Sequence, residues 1–411
     1  MRKYEYSDRD QAIAHDISVL IPVFEQVANS ITTPGFVYEE EFIRRQCEHI
    51  RRIADKAGCK LLYSLKALTL PWVLDLIVPY VQGFSVSSLY ESIIARDVLK
   101  TRGTVHLTTP GLRPDEVGEI SKYCDFLSFN SISQWMRHKD ELSPNVEVGL
   151  RVNPEISFLD DPRYDPCRVH SKLGATIRSV QETLVPGSPH LRGLSGLLFH
   201  NNCNSPDFQE LLLTVQKLES ELGYVLDNSQ WINLGGGYLF DDPNTLGAFH
   251  ESVDLLRSRF GLEVFVEPGT AMVRQSSYLV ASVVDIFVSG EKSVAVLDAT
   301  TNHWPEVFEY EFAPDVIGDS EEGEYEYLLA GGTCLAGDLF GTYAFHEPLD
   351  VGSKIVFANA GAYSLVKANY FNGINLPSIY ALTAEGELVL EKKFTYEDFA
   401  RQCGVVEHAN H

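Results

Sequence analysis

The stretch Lys60-Leu-Leu-Tyr-Ser-Leu-Lys-Ala67 sets the reading of this chain. Its apolar run has the length and composition of a buried strand, yet it ends on Lys66, a charge that water would ordinarily keep. A lysine there is a solvated strand tip, a packing defect or a site of chemistry, and the segment alone does not choose. Outward from it the pattern repeats. β-rich runs recur at 83–87, 105–109, 126–129, 146–152, 194–199, 231–234 and 264–266. Helical segments lie between them at 72–79, 89–100, 113–122, 133–141, 207–222 and 245–259. Strands alternating with helices predict a parallel sheet built from crossover units. Eight strands over about 230 residues is the size of a (β/α)8 TIM-type barrel. An open doubly wound sheet is the competing arrangement.

Past Met272 the rhythm changes. Strand-like runs at 278–287, 294–297, 325–329, 354–357, 378–382 and 387–390 are separated by Gly, Asn and Asp turns. The α/β barrel is therefore expected over 36–273 and an all-β, Greek-key-like barrel domain over 274–411. A helical extension and lead-in is expected over 1–35. Within it Ile13, Ile17, Leu20, Ile21, Phe24 and Val27 are spaced as on an amphipathic helix over 9–30, closed by Thr32-Thr-Pro-Gly35. The acidic run at 318–324 lacks the alternation of an oxygen cage and reads as a solvated loop.

A chain of 411 residues with 45% apolar side chains folds as about two to three domains. Its net charge of −24 argues against nucleic acid or an anionic membrane as partner. Nothing resembles a bilayer span, and the polar N-terminus lacks a signal-peptide core. Seven cysteines are scattered without a CxxC or CxxH pair, so neither a disulfide framework nor a metal site is expected. These features predict a cytoplasmic protein with reduced thiols.

In such a barrel the reactive groups come from the C-terminal ends of the strands. Those ends carry Lys66, Arg151-Val-Asn-Pro154, His200-Asn-Asn-Cys203, Gly235-Gly-Gly237 and Glu267-Pro-Gly269. Each has a plain alternative: a core histidine, a tight turn, a Glu-Pro-Gly corner. Together they match what pyridoxal 5'-phosphate requires. A lysine links to it covalently, an acidic group meets its pyridinium nitrogen, an imidazole covers the ring, and a glycine loop admits the phosphate.

Four motifs in order, Tyr63-Ser-Leu-Lys-Ala67, Asn233-Leu-Gly-Gly-Gly237, Val266-Glu-Pro-Gly269 and Gly361-Ala-Tyr363, resemble those of the fold-type III, alanine-racemase-like pyridoxal-phosphate decarboxylases. Gly332-Thr-Cys-Leu-Ala-Gly-Asp338 joins them. Within that family the chain is most similar to the carboxynorspermidine/carboxyspermidine decarboxylase branch, through Tyr164-Asp-Pro-Cys167, Ser171-Lys-Leu-Gly174 and Val366-Lys with Phe371-Asn-Gly373.

The resemblance implies roles. Lys66 would carry the cofactor, with His200 on its ring, Glu267 on its nitrogen and Arg151 beside them. Gly235, Gly236, Gly237 and Tyr363 would hold the phosphate. Cys334, or the released Lys66, would return a proton to Cα of the substrate, and Cys334 would reach in with Asp338 from the second subunit of a homodimer. Asn204 and Thr270, at positions where that branch carries acidic residues, would face the substrate with Cys334 and Asp338. The implied activity is decarboxylation of a basic amino acid, a carboxylated polyamine precursor foremost. Diaminopimelate, ornithine or a specialised amino acid is the alternative substrate, and an inactive regulatory homologue the alternative role.

Overall fold

The computed structural model describes residues 30–405, so the expected helix at 9–30 lies outside the described residues but for Ser30. The chain divides into two compact units, one formed by the stretch up to Ile43 with Val273 onward, the other by Arg44–Met272. Strand β1 (Gly35–Glu39) belongs to the first. The second contains β2 (Lys60–Ser64), β3 (Gly83–Val86), β4 (Thr104–Thr109), β5 (Phe126–Phe129) and β6 (Glu147–Asn153). A two-residue β7 (Ala175–Thr176), β8 (Gly196–Leu198), β9 (Trp231–Asn233) and β10 (Glu263–Val266) complete it.

Hydrogen bonding runs β2-β3-β4-β5-β6-β8-β9-β10 and returns from β10 to β2, parallel at every step. This is the closed eight-stranded barrel; β7 pairs on β6 outside the ring. Near the strands' N-terminal ends the interior is filled by aromatic rings. His106 stacks on Phe126 at 4.0 Å, and Trp231 and Phe265 meet Phe126 edge-on at 5.4 and 5.5 Å. Burial holds the His106 imidazole down at about 3, so it packs there as an uncharged ring. That end is a plug, which leaves the C-terminal ends for chemistry.

Between strands, the helix Gln209–Leu226 buries Leu211, Leu212, Val215, Leu218, Leu222 and Val225, the three-to-four spacing of one helical face. The helix expected at 113–122 contracts to the single turn Val117–Ile120. Residues 113–116 form a separate turn instead, closed by the Glu116 N–H donating to the Arg113 carbonyl at 3.0 Å.

The first unit is an eight-stranded, mostly antiparallel sheet. Its remaining strands are β11 (Ser277–Ser289), β12 (Lys292–Leu297), β13 (Tyr325–Ala330), β14 (Leu339–Phe345), β15 (Lys354–Phe357), β16 (Ser378–Leu382) and β17 (Leu388–Lys392). The path is β14-β13-β12-β11-β1-β16-β17, with β15 also on β11. Ile31, Val37, Tyr278, Val280, Val356, Tyr380 and Leu382 form a core on it.

Two expectations are corrected. The barrel does not begin at Phe36: residues 36–39 lie in β1, which pairs antiparallel with β11 and parallel with β16. A strand followed by a helix in the right rhythm mimics a first barrel unit, and only long-range pairing tells them apart. β14 is absent from the expected strands; Gly341 interrupts its apolar run at φ 147°, a backbone angle that residues with side chains rarely adopt.

Candidate active site

Strand β2 passes into one 3-10 turn, Leu65–Ala67, that carries Lys66. Leu65 and Ala67 are buried on either side, and the Thr69 hydroxyl donates to the Leu65 carbonyl at 2.7 Å, so the turn is anchored. Lys66 is exposed, unlike its two neighbours in the turn. Desolvation pushes its amine pKa down; Glu267 resists and Arg151 reinforces the shift. The uncharged amine, a nucleophile, is thereby favoured.

Glu267 follows β10 and is 8% exposed. Its Oε1 accepts from Asn233 Nδ2 at 2.6 Å, and the Ser85 hydroxyl on β3 bonds to it as well. Burial nevertheless pushes the carboxyl up, against Lys66, those two hydrogen bonds and Arg151. Arg151 on β6 is equally buried, and desolvation lowers even its guanidinium, with Glu267 opposing. Three strands thus deliver two cations and one carboxylate whose charges act on one another, with Arg151 and Glu267 buried.

His200 follows β8. The Gly236 N–H donates to its Nδ1 at 3.0 Å, which places the ring proton on Nε2 and leaves the imidazole neutral. Burial holds its pKa well below the usual value, and the Lys66 and Arg151 charges add to this. A neutral ring of fixed orientation is what a flat π-system can stack against.

The glycine triplet has a packing reason. A Cβ on Gly235 would lie 2.5 Å from the Phe199 carbonyl, on Gly236 2.2 Å from the Glu267 carbonyl, and on Gly237 2.2 Å from the Asn202 carbonyl. The loops after β8, β9 and β10 therefore touch through backbone alone. This narrows the expectation that all three glycines hold a phosphate. The Gly235 N–H donates to Asn233 Oδ1 at 2.9 Å and the Gly236 N–H to His200, so two of the three donors are already engaged. Gly235 and Gly236 shape the cradle, and the Gly237 N–H is the candidate donor.

The helix Gln209–Leu226 steadies the loop after β8. Asn201 Nδ2 donates to Thr214 Oγ1 at 2.7 Å, and Asn202 and Ser205 both bond to the Glu210 carboxylate. The Tyr238 hydroxyl reaches Asn201 Oδ1 at 3.1 Å, and Ser205 N–H reaches the Gly237 carbonyl at 2.8 Å. Asn204 sits half-buried in that loop with φ 52°, and half-buried Thr270 starts the short helix Thr270–Val273.

Cys334, Asp338 and Tyr363 belong to the sheet unit. Cys334 is exposed, and Tyr363 is half-buried with φ 56°. Asp338 departs from its expected place on the substrate. It is 2% exposed, and both carboxylate oxygens are occupied by Thr301 and Thr333 of its own unit.

The sequence reading missed Asn233 and Ser85, which hold Glu267, and Glu91, whose charge acts on Lys66. Asn233 could have been found two residues before the triplet, at the strand end where side chains face the site. Glu91 could have been found as the fourth residue of a Ser88-x-x-Glu91 helix start. No group of His, Cys, Asp and Glu among the described residues could hold a metal ion.

The family model for the pyridoxal-dependent decarboxylase, C-terminal sheet domain, matches residues 35–361. Carboxynorspermidine/carboxyspermidine decarboxylase of Campylobacter jejuni is 33% identical over 389 residues, covering 90% of this chain and 98% of that protein. Carboxyaminopropylagmatine decarboxylase of Synechocystis is also 33% identical, over 92% of this chain and 96% of its own length. Among solved structures, carboxynorspermidine decarboxylase of Campylobacter jejuni complexed with norspermidine superposes with a TM-score of 0.82 at 30% identity, covering 90% of this chain and all of that one.

Proposed function

Because the chain belongs to the pyridoxal-dependent decarboxylase family and is a pyridoxal-phosphate-dependent carboxy-lyase, we propose that it removes the α-carboxylate of a carboxylated polyamine of the carboxynorspermidine/carboxyspermidine type. The observation that carries the reaction is the pairing of a Lys66 amine, pKa pushed down, with the buried Glu267 carboxylate. The substrate class is supported by full-length likeness to enzymes named for it.

The residues fit the cofactor. Its aldehyde would be held by Lys66, its ring by neutral His200, and its ring nitrogen by Glu267. Its phosphate would be held by the cradle at Gly235–Gly237, and by Tyr363. When bound, the cofactor supplies an electron sink for the pair released as the Cα–carboxylate bond breaks. Glu267 keeps a proton on the ring nitrogen, with Arg151, Asn233 and Ser85 holding that carboxylate in place. Lys66 would hold the cofactor until the substrate amine takes its place and would then be free as an amine beside the substrate. A proton then returns to Cα from the Cys334 thiol or the freed Lys66 amine. Asn204 and Thr270 line the path of the substrate's tail.

The chain works as a homodimer in which Cys334 serves the barrel of the second copy. Exposed Phe308, Val366 and Phe371 stand near the Cys334 loop, apolar surface suited to such a contact. Among the described residues no helix is long and apolar enough to cross a membrane, and all seven cysteines are free, which supports a cytoplasmic setting.

A second reading, decarboxylation of carboxyaminopropylagmatine, is supported by the equal identity of the Synechocystis relative. The test is carbon dioxide release from carboxynorspermidine, carboxyspermidine, carboxyaminopropylagmatine, diaminopimelate and ornithine. The highest kcat/KM is expected for one of the first two. Turnover of diaminopimelate or ornithine, with none of the carboxylated polyamines, would overturn the substrate class.

A further inference from the structure

The loop carrying Cys334 is tied by a knot whose centre is Asp338. The Asp338 Oδ1 accepts from Thr301 N–H at 2.7 Å and the Thr301 hydroxyl at 2.9 Å. Its Oδ2 accepts from Thr333 N–H at 3.0 Å and the Thr333 hydroxyl at 2.6 Å. Thr301 lies in the 3-10 turn Thr301–His303 that follows β12, while Thr333 is the residue before Cys334. One carboxylate therefore ties the cysteine's neighbour to a separate element of the domain.

The loop's backbone closes on the same residue. Asp338 N–H donates to the Leu335 carbonyl at 2.9 Å, and Gly331 N–H donates to the Asp338 carbonyl at 2.7 Å. A Cβ on Gly331 would lie 2.2 Å from Asp338 Oδ1, so glycine is required for the carboxylate to tuck in. Cys334 itself is held by its N–H, which donates to Asn372 Oδ1 at 2.8 Å, from a residue with φ 56°. The backbone on both sides of Cys334 is fixed while its thiol stays exposed.

We infer that Asp338 is a positioning residue that holds the Cys334 thiol in place for proton return, and that it does not bind the substrate. A carboxylate with four donors in place and 2% exposure has little capacity left for a substrate amine. The inference rests on the proposal that Cys334 returns the proton, and the two can fail separately.

The test uses the full-length holoenzyme and four variants: Asp338→Asn, Thr301→Val, Thr333→Ser and Cys334→Ser. Asp338→Asn keeps the shape but turns an NH2 toward a backbone N–H, of Thr301 or Thr333, that can only donate. It should lower kcat by about tenfold or more with KM within about twofold, since transition-state placement is lost and ground-state binding is kept. Amide exchange over residues 331–338 should quicken about tenfold or more while β11 and β12 are unchanged. Thr301→Val, which takes one donor from the far side of the knot, should reproduce this more weakly, and Thr333→Ser should retain wild-type behaviour. If Asp338→Asn fails to fold, Thr301→Val carries the test, and wild-type kcat and loop exchange in it overturn the positioning role. A rise in KM at constant kcat, or unaltered exchange in the loop, overturns the positioning role. Full activity of Cys334→Ser overturns instead the reading on which it rests.

Discussion

In the barrel, buried Glu267 lies among the charges of Lys66 and Arg151, and desolvation shifts all three toward their uncharged forms. In the sheet domain, Asp338 is no more exposed, yet four neutral donors surround it and tie it to Thr301 and Thr333. The two carboxylates sit at comparable depth and do different work. A buried carboxylate fully served by donors organises backbone. One whose desolvation outweighs its hydrogen bonds is poised to gain from a cationic N–H brought against it. Burial alone does not identify a reactive acid, whereas burial with incomplete compensation does.

The largest way to test that contrast is to remove the group at its centre. Lys66→Ala should lower kcat by about 10³-fold or more, the scale expected when a positioned proton carrier is lost. Absorbance in the visible from the bound cofactor should be lost with it, while the melting temperature of the cofactor-free chain holds or rises. Retained activity in this variant would dissolve the distinction between the two carboxylates. Glu267→Gln comes next. It should cost about 10² to 10³-fold in kcat, the range for losing one preorganised electrostatic partner. Because desolvation outweighs the partners of this carboxylate and raises its pKa, the same variant should stabilise the cofactor-free chain above neutral pH. The matching change at Asp338 should do the reverse and destabilise. Equal signs for the two in thermal unfolding would break the comparison.

How much of this was legible in the sequence follows the same divide. The barrel's strand ends repeat at a period that exposes Lys66, Arg151, His200 and Glu267 as a set. The strand runs of the reading match the eight closed strands to within a few residues. β1 was misplaced because pairing with β11 and β16 is set by residues more than two hundred positions away, which no local period encodes. The glycine triplet was legible as a motif but not as packing, since the carbonyls it must clear belong to other strands. Asp338 was legible as an acid near Cys334. Its four donors come partly from Thr301, more than thirty residues upstream, so its inward orientation was not.

A smaller effect concerns Glu91. Ser64 on β2 pairs with Ser85 on β3, so Lys66 and Ser87 leave their strands side by side. Glu91 accepts the Ser87 N–H at 2.6 Å, which brings a second carboxylate toward Lys66, and each charge stabilises the other. Glu91→Gln should move the pH midpoint of Lys66 modification in the cofactor-free chain down, because the cation loses an ally. The measurement is site-resolved reductive methylation across pH. An unmoved midpoint would leave Glu91 as a helix cap alone.

A last effect lies in the sheet domain and runs opposite to Asp338. Glu306 is held up to about 7 by burial, with Lys367 and Arg274 pulling down and Glu309 pushing up. Its folded pKa is above the ordinary 4.5, so the fold keeps a proton that the unfolded chain releases. The associated stability is present below about 4.5 and is lost as pH rises to about 7, at most on the order of 3 kcal/mol by linkage. Glu306→Gln should therefore leave the unfolding free energy nearly unchanged near pH 4.5 and raise it near pH 8. Denaturant unfolding at the two pH values reads this directly. If the variant gains nothing at pH 8, Lys367 and Arg274 compensate Glu306 in full, and it joins Asp338 among the satisfied carboxylates.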